Sequence, residues 1–137
     1  MKKIFKGFPS LLVLVLTICA LGGCSSKNKL ADCFNEKDVK TQAMEDITLA
    51  ESDNFEGWQA RFAPEYQSVV TEDAYISYKE VLARYGAFQE FGKAAVIGQE
   101  KDGKNCAVAV IICKHKGGDV KYTAAYDENM NLIQFTI

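Results

Sequence analysis

The run Cys106-Ala107-Val108-Ala109-Val110-Ile111-Ile112-Cys113 is apolar at every position and lies between two turn signals, Asp102-Gly103 and Gly117-Gly118. A short β-branched run bounded by glycine turns reads as a strand. Alternate side chains of a strand face opposite ways, so Cys106, Val108, Val110 and Ile112 form one face and Ala107, Ala109, Ile111 and Cys113 the other. Both faces are apolar, and both must be covered. Helices can cover one. A curled sheet, a second molecule or a ligand must cover the other, and self-association through that face is the expectation.

The same period of two runs from Phe91 to the end. Strands are expected at 91–100, 104–116, 120–126 and 132–137, with Val120, Tyr122, Ala124 and Tyr126 sharing one face of the third and Ile133, Phe135 and Ile137 one face of the fourth. Asp102-Gly103 is a two-residue hairpin signal, and Gly117-Gly118 and Asp127-Glu128-Asn129 close the other turns, which gives an antiparallel meander.

Before residue 88 the period is helical. A helix over 36–51 has Asn35 as N-cap and Glu36 and Asp38 in its first turn. Its apolar stripe is Val39, Ala43, Ile47 and Ala50, widened by Met44. Asp53 and Glu56 read as a capping box for a short helix that carries Phe55, Trp58 and Phe62 and ends at Pro64. A third helix starts at Thr71-Glu72-Asp73 and is capped by Gly86, with a stripe of Ala74, Tyr75, Tyr78, Val81, Leu82 and Tyr85. The fold class is therefore α+β, three N-terminal helices packed on a curved antiparallel four-stranded meander, as one domain over 35–137.

The first segment reads as an address. Lys2, Lys3 and Lys6 precede the apolar run from Leu11 to Leu21, which is too short for the ~20 residues of a bilayer core. Leu21-Gly22-Gly23-Cys24 resembles the bacterial lipobox, in which the cysteine is acylated and becomes the first residue of the mature chain. Residues 1–23 are then a lipoprotein signal peptide and 24–34 a lipidated tether, at most ~35 Å long when extended. The expected location is the extracytoplasmic face of the cell membrane, with the membrane as a partner through lipid on Cys24.

The chain has 16 basic and 18 acidic residues, and three lysines leave with the signal, so the remainder is acidic. That balance argues against nucleic acid as a partner. Of the five cysteines, Cys33, Cys106 and Cys113 belong to the domain. Cys106 and Cys113 lie ~23 Å apart along one strand and cannot bond to each other. A bond from Cys33 to one of them and two buried thiols are both open.

His115, the one histidine, shares a strand face with Cys113, but its place among Lys114, Lys116 and the glycine turn predicts an exposed ring. Neither a zinc site nor a catalytic pair follows from it. Glu45, Asp46, Glu80 and Glu90 fit solvated helix faces. No catalytic residue, metal ligand or cofactor is assigned.

Three segments carry a family resemblance: Asp53-Asn54-Phe55-Glu56-Gly57-Trp58-Gln59-Ala60-Arg61-Phe62, Tyr85-Gly86-Ala87-Phe88-Gln89-Glu90-Phe91 and Tyr126-Asp127-Glu128-Asn129-Met130-Asn131-Leu132-Ile133. In order and spacing they resemble an uncharacterised bacterial lipoprotein domain family of the nuclear-transport-factor-2-like superfamily. The resemblance implies a cone whose mouth can hold a small apolar ligand and whose sheet often pairs into dimers. Superfamily enzymes such as ketosteroid isomerases use a carboxylate and a tyrosine in the cone, but no residue pattern here matches that motif.

The expected function is a membrane-anchored, non-catalytic binding or interaction domain, with Trp58, Phe62, Tyr75, Tyr78, Tyr85, Tyr122 and Tyr126 lining its pocket. Two other classes stay open: a small isomerase- or hydrolase-type enzyme built on cone tyrosines and a buried carboxylate, and a purely structural assembly lipoprotein.

Overall fold

The computed structural model describes residues 29–137; the signal segment, Cys24 and the first part of the tether lie outside them. Four helical segments precede four strands: α1 Glu36–Glu51, α2 Phe55–Gln59, α3 Pro64–Gln67, α4 Glu72–Ala83, then β1 Phe88–Lys101, β2 Lys104–His115, β3 Gly118–Tyr126 and β4 Leu132–Thr136. The strands form one antiparallel sheet in the order β1-β2-β3-β4. Among the described residues no helix is long and apolar enough to cross a membrane.

The caps explain the helix starts, and one differs from expectation. Asn35 Oδ1 accepts from the Asp38 amide at 3.1 Å, and Thr71 Oγ1 accepts from the Ala74 amide at 3.1 Å. For α2 the cap is Asn54, which accepts from the Gly57 amide at 2.9 Å; Asp53 instead pairs with Lys79 at 3.2 Å.

Three helices were expected and a fourth turn is present. The second helix stops at Gln59, and Pro64 opens α3, a place where its missing N–H costs nothing. Between them Phe62 bridges Leu132 in parallel, with the Ala63 amide donating to the Leu132 carbonyl and the Leu132 amide to the Arg61 carbonyl, each at 2.9 Å. This segment adds a short fifth rung beside β4 and carries the chain round the sheet edge.

That path answers part of the covering problem posed by β2. Ala107, Ala109, Ile111 and Cys113 face the helices and join the main core with Val39, Ala43, Ile47, Trp58, Phe62, Tyr78 and Leu82. On the opposite face Cys106 and Val108 pack with Ala63, Ala125 and Ile133, with Tyr66 against them. Ile97, Val110 and Ile112 on that face stay half-buried.

Ile133 and Phe135 do not share a face, because the β3–β4 register shifts between Ala125 and Tyr126. Leu132 and Phe135 enter the main core, whereas Ile133 joins the opposite cluster.

The last residues before α1 also lie on the domain. Phe34 is buried, Leu30 and Ala31 pack against the core, and a Cβ on Gly98 would come within 2.2 Å of the Lys29 carbonyl oxygen.

Gly117 has a similar role at the other end of the sheet. Its amide donates to the Tyr85 carbonyl at 2.7 Å, and a Cβ there would lie 2.9 Å from that oxygen. With Lys116 N–H on the Ala87 carbonyl at 2.8 Å, the β2–β3 turn clamps the junction between α4 and β1.

Candidate functional site

Two carboxylates of α1 organise the interior polar chemistry. Asp46 falls on the apolar stripe, three residues after Ala43 and four before Ala50, and is only 1% exposed. It is not the solvated helix residue expected. Arg61 Nε donates to Oδ1 at 2.6 Å and a terminal guanidinium nitrogen to Oδ2 at 3.2 Å, while the Tyr126 hydroxyl donates to Oδ2 at 2.7 Å. Arg61 also donates to the Met130 carbonyl at 2.8 Å, which ties α1 to the β3–β4 turn. Burial works against the guanidinium charge, but the hydrogen bond and charge of Asp46 outweigh it and hold Arg61 above its ordinary value.

Glu51 ends α1. An acid there opposes the helix dipole, and no basic residue occupies the last turn. Its compensation comes from the sheet. His115 Nε2 lies 3.1 Å from Oε2 and 3.2 Å from Oε1, and the Tyr122 hydroxyl donates to Oε2 at 2.9 Å. Since Tyr122 spends its proton there, Tyr78 donates to Tyr122 at 2.6 Å, which makes a relay Tyr78–Tyr122–Glu51.

The His115 side chain is 0% exposed, not solvent-facing as expected. Alternation turns it toward the helices, Nδ1 stands 3.4 Å from the Cys113 carbonyl, and the Phe88 ring lies 5.6 Å away, edge-on. Burial pushes the hydroxyls of Tyr78, Tyr122 and Tyr126 far above the tyrosine range, so all three are neutral donors.

Above Glu51 the domain opens. A cleft of about 490 Å³ is lined by Ile47, Thr48 and Glu51 of α1, Leu82 and Ala83 of α4, and Phe88 and Phe91 of β1. The Glu51 side chain is 13% exposed, and the residue belongs both to the buried relay and to the cleft lining. Lys79 also borders it, but its ammonium turns onto the Glu51 carbonyl at 2.7 Å and onto Asp53.

Of the seven residues expected to line a pocket, none lines the cleft beside Glu51. Trp58, Phe62, Tyr75, Tyr78, Tyr122 and Tyr126 are buried in the main core, and Tyr85 is half-buried against it. Trp58 packs edge-on to Phe62 at 5.1 Å and to Phe135 at 5.4 Å and stacks on Tyr78 at 6.2 Å. The rings fill the space between helices and sheet. Trp58, Phe62 and Tyr78 border only a narrow apolar crevice of about 20 Å³, room for about one water. The Tyr75 hydroxyl donates to the Ala50 carbonyl at 2.8 Å and also meets the Ser52 carbonyl. Sequence reasoning missed Glu51, Asp46 and Arg61. The acid closing a helix and the acid on an apolar stripe were the available signals.

Cys33, Cys106 and Cys113 are all free thiols. Burial first, and then the Glu51 charge, pushes Cys113 up to about 12, and burial also raises Cys106. Neither is a nucleophile near neutral pH. Peptide-resolved iodoacetamide labelling at pH 8 is expected to modify exposed Cys33 in the native protein and Cys106 and Cys113 only in urea. Native labelling of Cys113 at the rate of Cys33 would contradict the burial. Among the described residues no group of three or more His, Cys, Asp or Glu is placed to hold a metal ion.

The fold and this site define a small α+β domain: helices over one face of a four-stranded antiparallel meander, with a cleft bordered by Glu51 at one end. The chain belongs to the family described as "Protein of unknown function (DUF3887)", whose model matches residues 43–135. It is similar to a solved protein from Ruminococcus gnavus ATCC 29149, determined by NMR, at 43% sequence identity and a TM-score of 0.75, over 81% of this chain and 97% of that one. No curated protein matches it.

Proposed function

We propose that this chain is a lipid-anchored, extracytoplasmic binding protein that holds a small ligand in the cleft above Glu51 without transforming it. The signal over 1–23 is removed, Cys24 carries the lipid, and the domain adopts the nuclear-transport-factor-2-like cone. The observation that carries the reading is the cleft itself: about 490 Å³ with apolar walls and one hydrogen-bonding carboxylate, as small-molecule sites are built. Support for the orientation comes from α1. Its 16 residues span about 24 Å, which puts Glu51 and the cleft at the end of the helix far from Glu36.

Ala83 is exposed and borders the cleft, so Ala83→Trp fills it from the rim without entering the core. Nile red fluorescence is expected to rise on binding the wild type and to fall to background with Ala83→Trp. Equal dye binding by both would count against the cleft. For the anchor, the wild type should fractionate with detergent-soluble membrane and Cys24→Ser should not.

A second reading, an acid–base enzyme, is favoured by the Glu51–Tyr122 bond and by His115 behind it. Recovery of the bound ligand unchanged after prolonged incubation supports binding; a converted product supports the enzyme. Half-buried Ile97, Val110 and Ile112 favour a homodimer through the open sheet face. Sedimentation should show dimer growing with concentration, and a strict monomer at the highest concentration would rule out that interface.

A further inference from the structure

The four lone-pair sites of Glu51 are unequally used. Oε2 accepts the Tyr122 hydroxyl at 2.9 Å and lies 3.1 Å from His115 Nε2. Oε1 has only the longer 3.2 Å leg of the contact with that ring nitrogen. The carboxylate therefore keeps acceptor capacity on Oε1, and Glu51 belongs to the lining of the cleft. Both side chains that bond it already spend a proton on it, His115 from Nε2 and Tyr122 from its hydroxyl. A ligand group that reaches Glu51 must therefore bring its own proton.

The cleft has one cation at its border, Lys79, and that ammonium is occupied by the Glu51 and Ser52 carbonyls and by Asp53. An incoming anion would meet the Glu51 carboxylate and an engaged lysine at the rim. The walls suit a cation as well. Phe88 and Phe91 lie 5.0 Å apart, edge to face, and Phe88 is 40% exposed at the mouth. Aromatic rings beside a carboxylate stabilise an ammonium through their electron-rich faces. Leu82, Ile47 and Ala83 offer apolar surface for the rest of the molecule.

Resting on the binding reading above, we propose that the cleft selects a small amphipathic amine, whose ammonium donates to Glu51 Oε1 and whose apolar body lies against Leu82, Phe88 and Phe91. A carboxylate of the same shape is rejected because it would place two like charges in a partly desolvated site.

The test is isothermal titration calorimetry on the full chain in phosphatidylcholine nanodiscs, with empty nanodiscs as the blank. The probes are 4-phenylbutylamine and 4-phenylbutyrate, which share an apolar body and differ in the head. The amine is expected to bind about tenfold more tightly or better, the scale of one charge-assisted hydrogen bond. Glu51→Gln, which keeps an acceptor but loses the charge, should bring the two probes to within about threefold. The comparison on wild type stands without that variant should it fold poorly. Acid binding as tightly as amine would overturn the amine selection while leaving a binding cleft. Neither probe binding, together with no Nile red response, would overturn both the selection and the binding reading.

Discussion

Arg61→Met is expected to lower the unfolding free energy by about 3 kcal/mol or more. The loss comes from what stays behind. Asp46 is 1% exposed and would be left with only the Tyr126 hydroxyl and the more distant Gln42 amide, 3.3 Å away, to meet it. The Arg61 bond to the Met130 carbonyl would go as well, loosening the β3–β4 turn from α1. Urea unfolding at pH 7 reads this as a fall in midpoint at unchanged slope. Adding Asp46→Asn to Arg61→Met should recover part of the loss, because a buried amide costs less than a buried unpaired carboxylate. A loss below about 1 kcal/mol would mean the pair behaves as a solvent-exposed one.

Glu51→Ala is expected to cost about 2–4 kcal/mol. It strips the acceptor from Tyr122 and from His115 together, and each buried donor left without a partner costs about 1–3 kcal/mol. Removing an acid from a helix C-terminus returns only about 0.3–1 kcal/mol of dipole repulsion. Tyr78→Phe is the contrast. It deletes one donor and leaves Tyr122 on Glu51, so its cost should be near 1 kcal/mol. The order of the two variants in urea is the decisive reading. If Tyr78→Phe were the more damaging, the relay would be anchored in the aromatic core and not at Glu51.

The strands and the outer helices were legible because local chemistry decides them. Asp102 and Gly103 take φ of 54° and 78° in the two-residue turn their sequence specifies, and Val120, Tyr122, Ala124 and Tyr126 are all buried. The path from Gln59 to Pro64 was not legible, because a long-range pairing of Phe62 with Leu132 competes with continued helix. Likewise, the shift that turns Ile133 to the opposite face is a property of two strands and not of one.

The candidate site was legible only in part. Tyrosines on helical and strand stripes read as a pocket wall, yet their rings interlock and close the space. His115 read as exposed from its charged neighbours, but alternation alone turns it inward, and its partner lies 64 residues away on α1. Pairing across that separation needs the tertiary fold. What local sequence did offer was an acid at each place where an acid is costly, on the apolar stripe and at the helix end.

Native mass spectrometry of the protein purified gently from a bacterial host, beside Ala83→Trp prepared the same way, tests the binding reading most directly. Wild type should retain a discrete extra mass of a few hundred daltons that Ala83→Trp has lost, with both proteins folded. Bare mass for both, or the same added mass on both, would contradict a ligand in the cleft above Glu51.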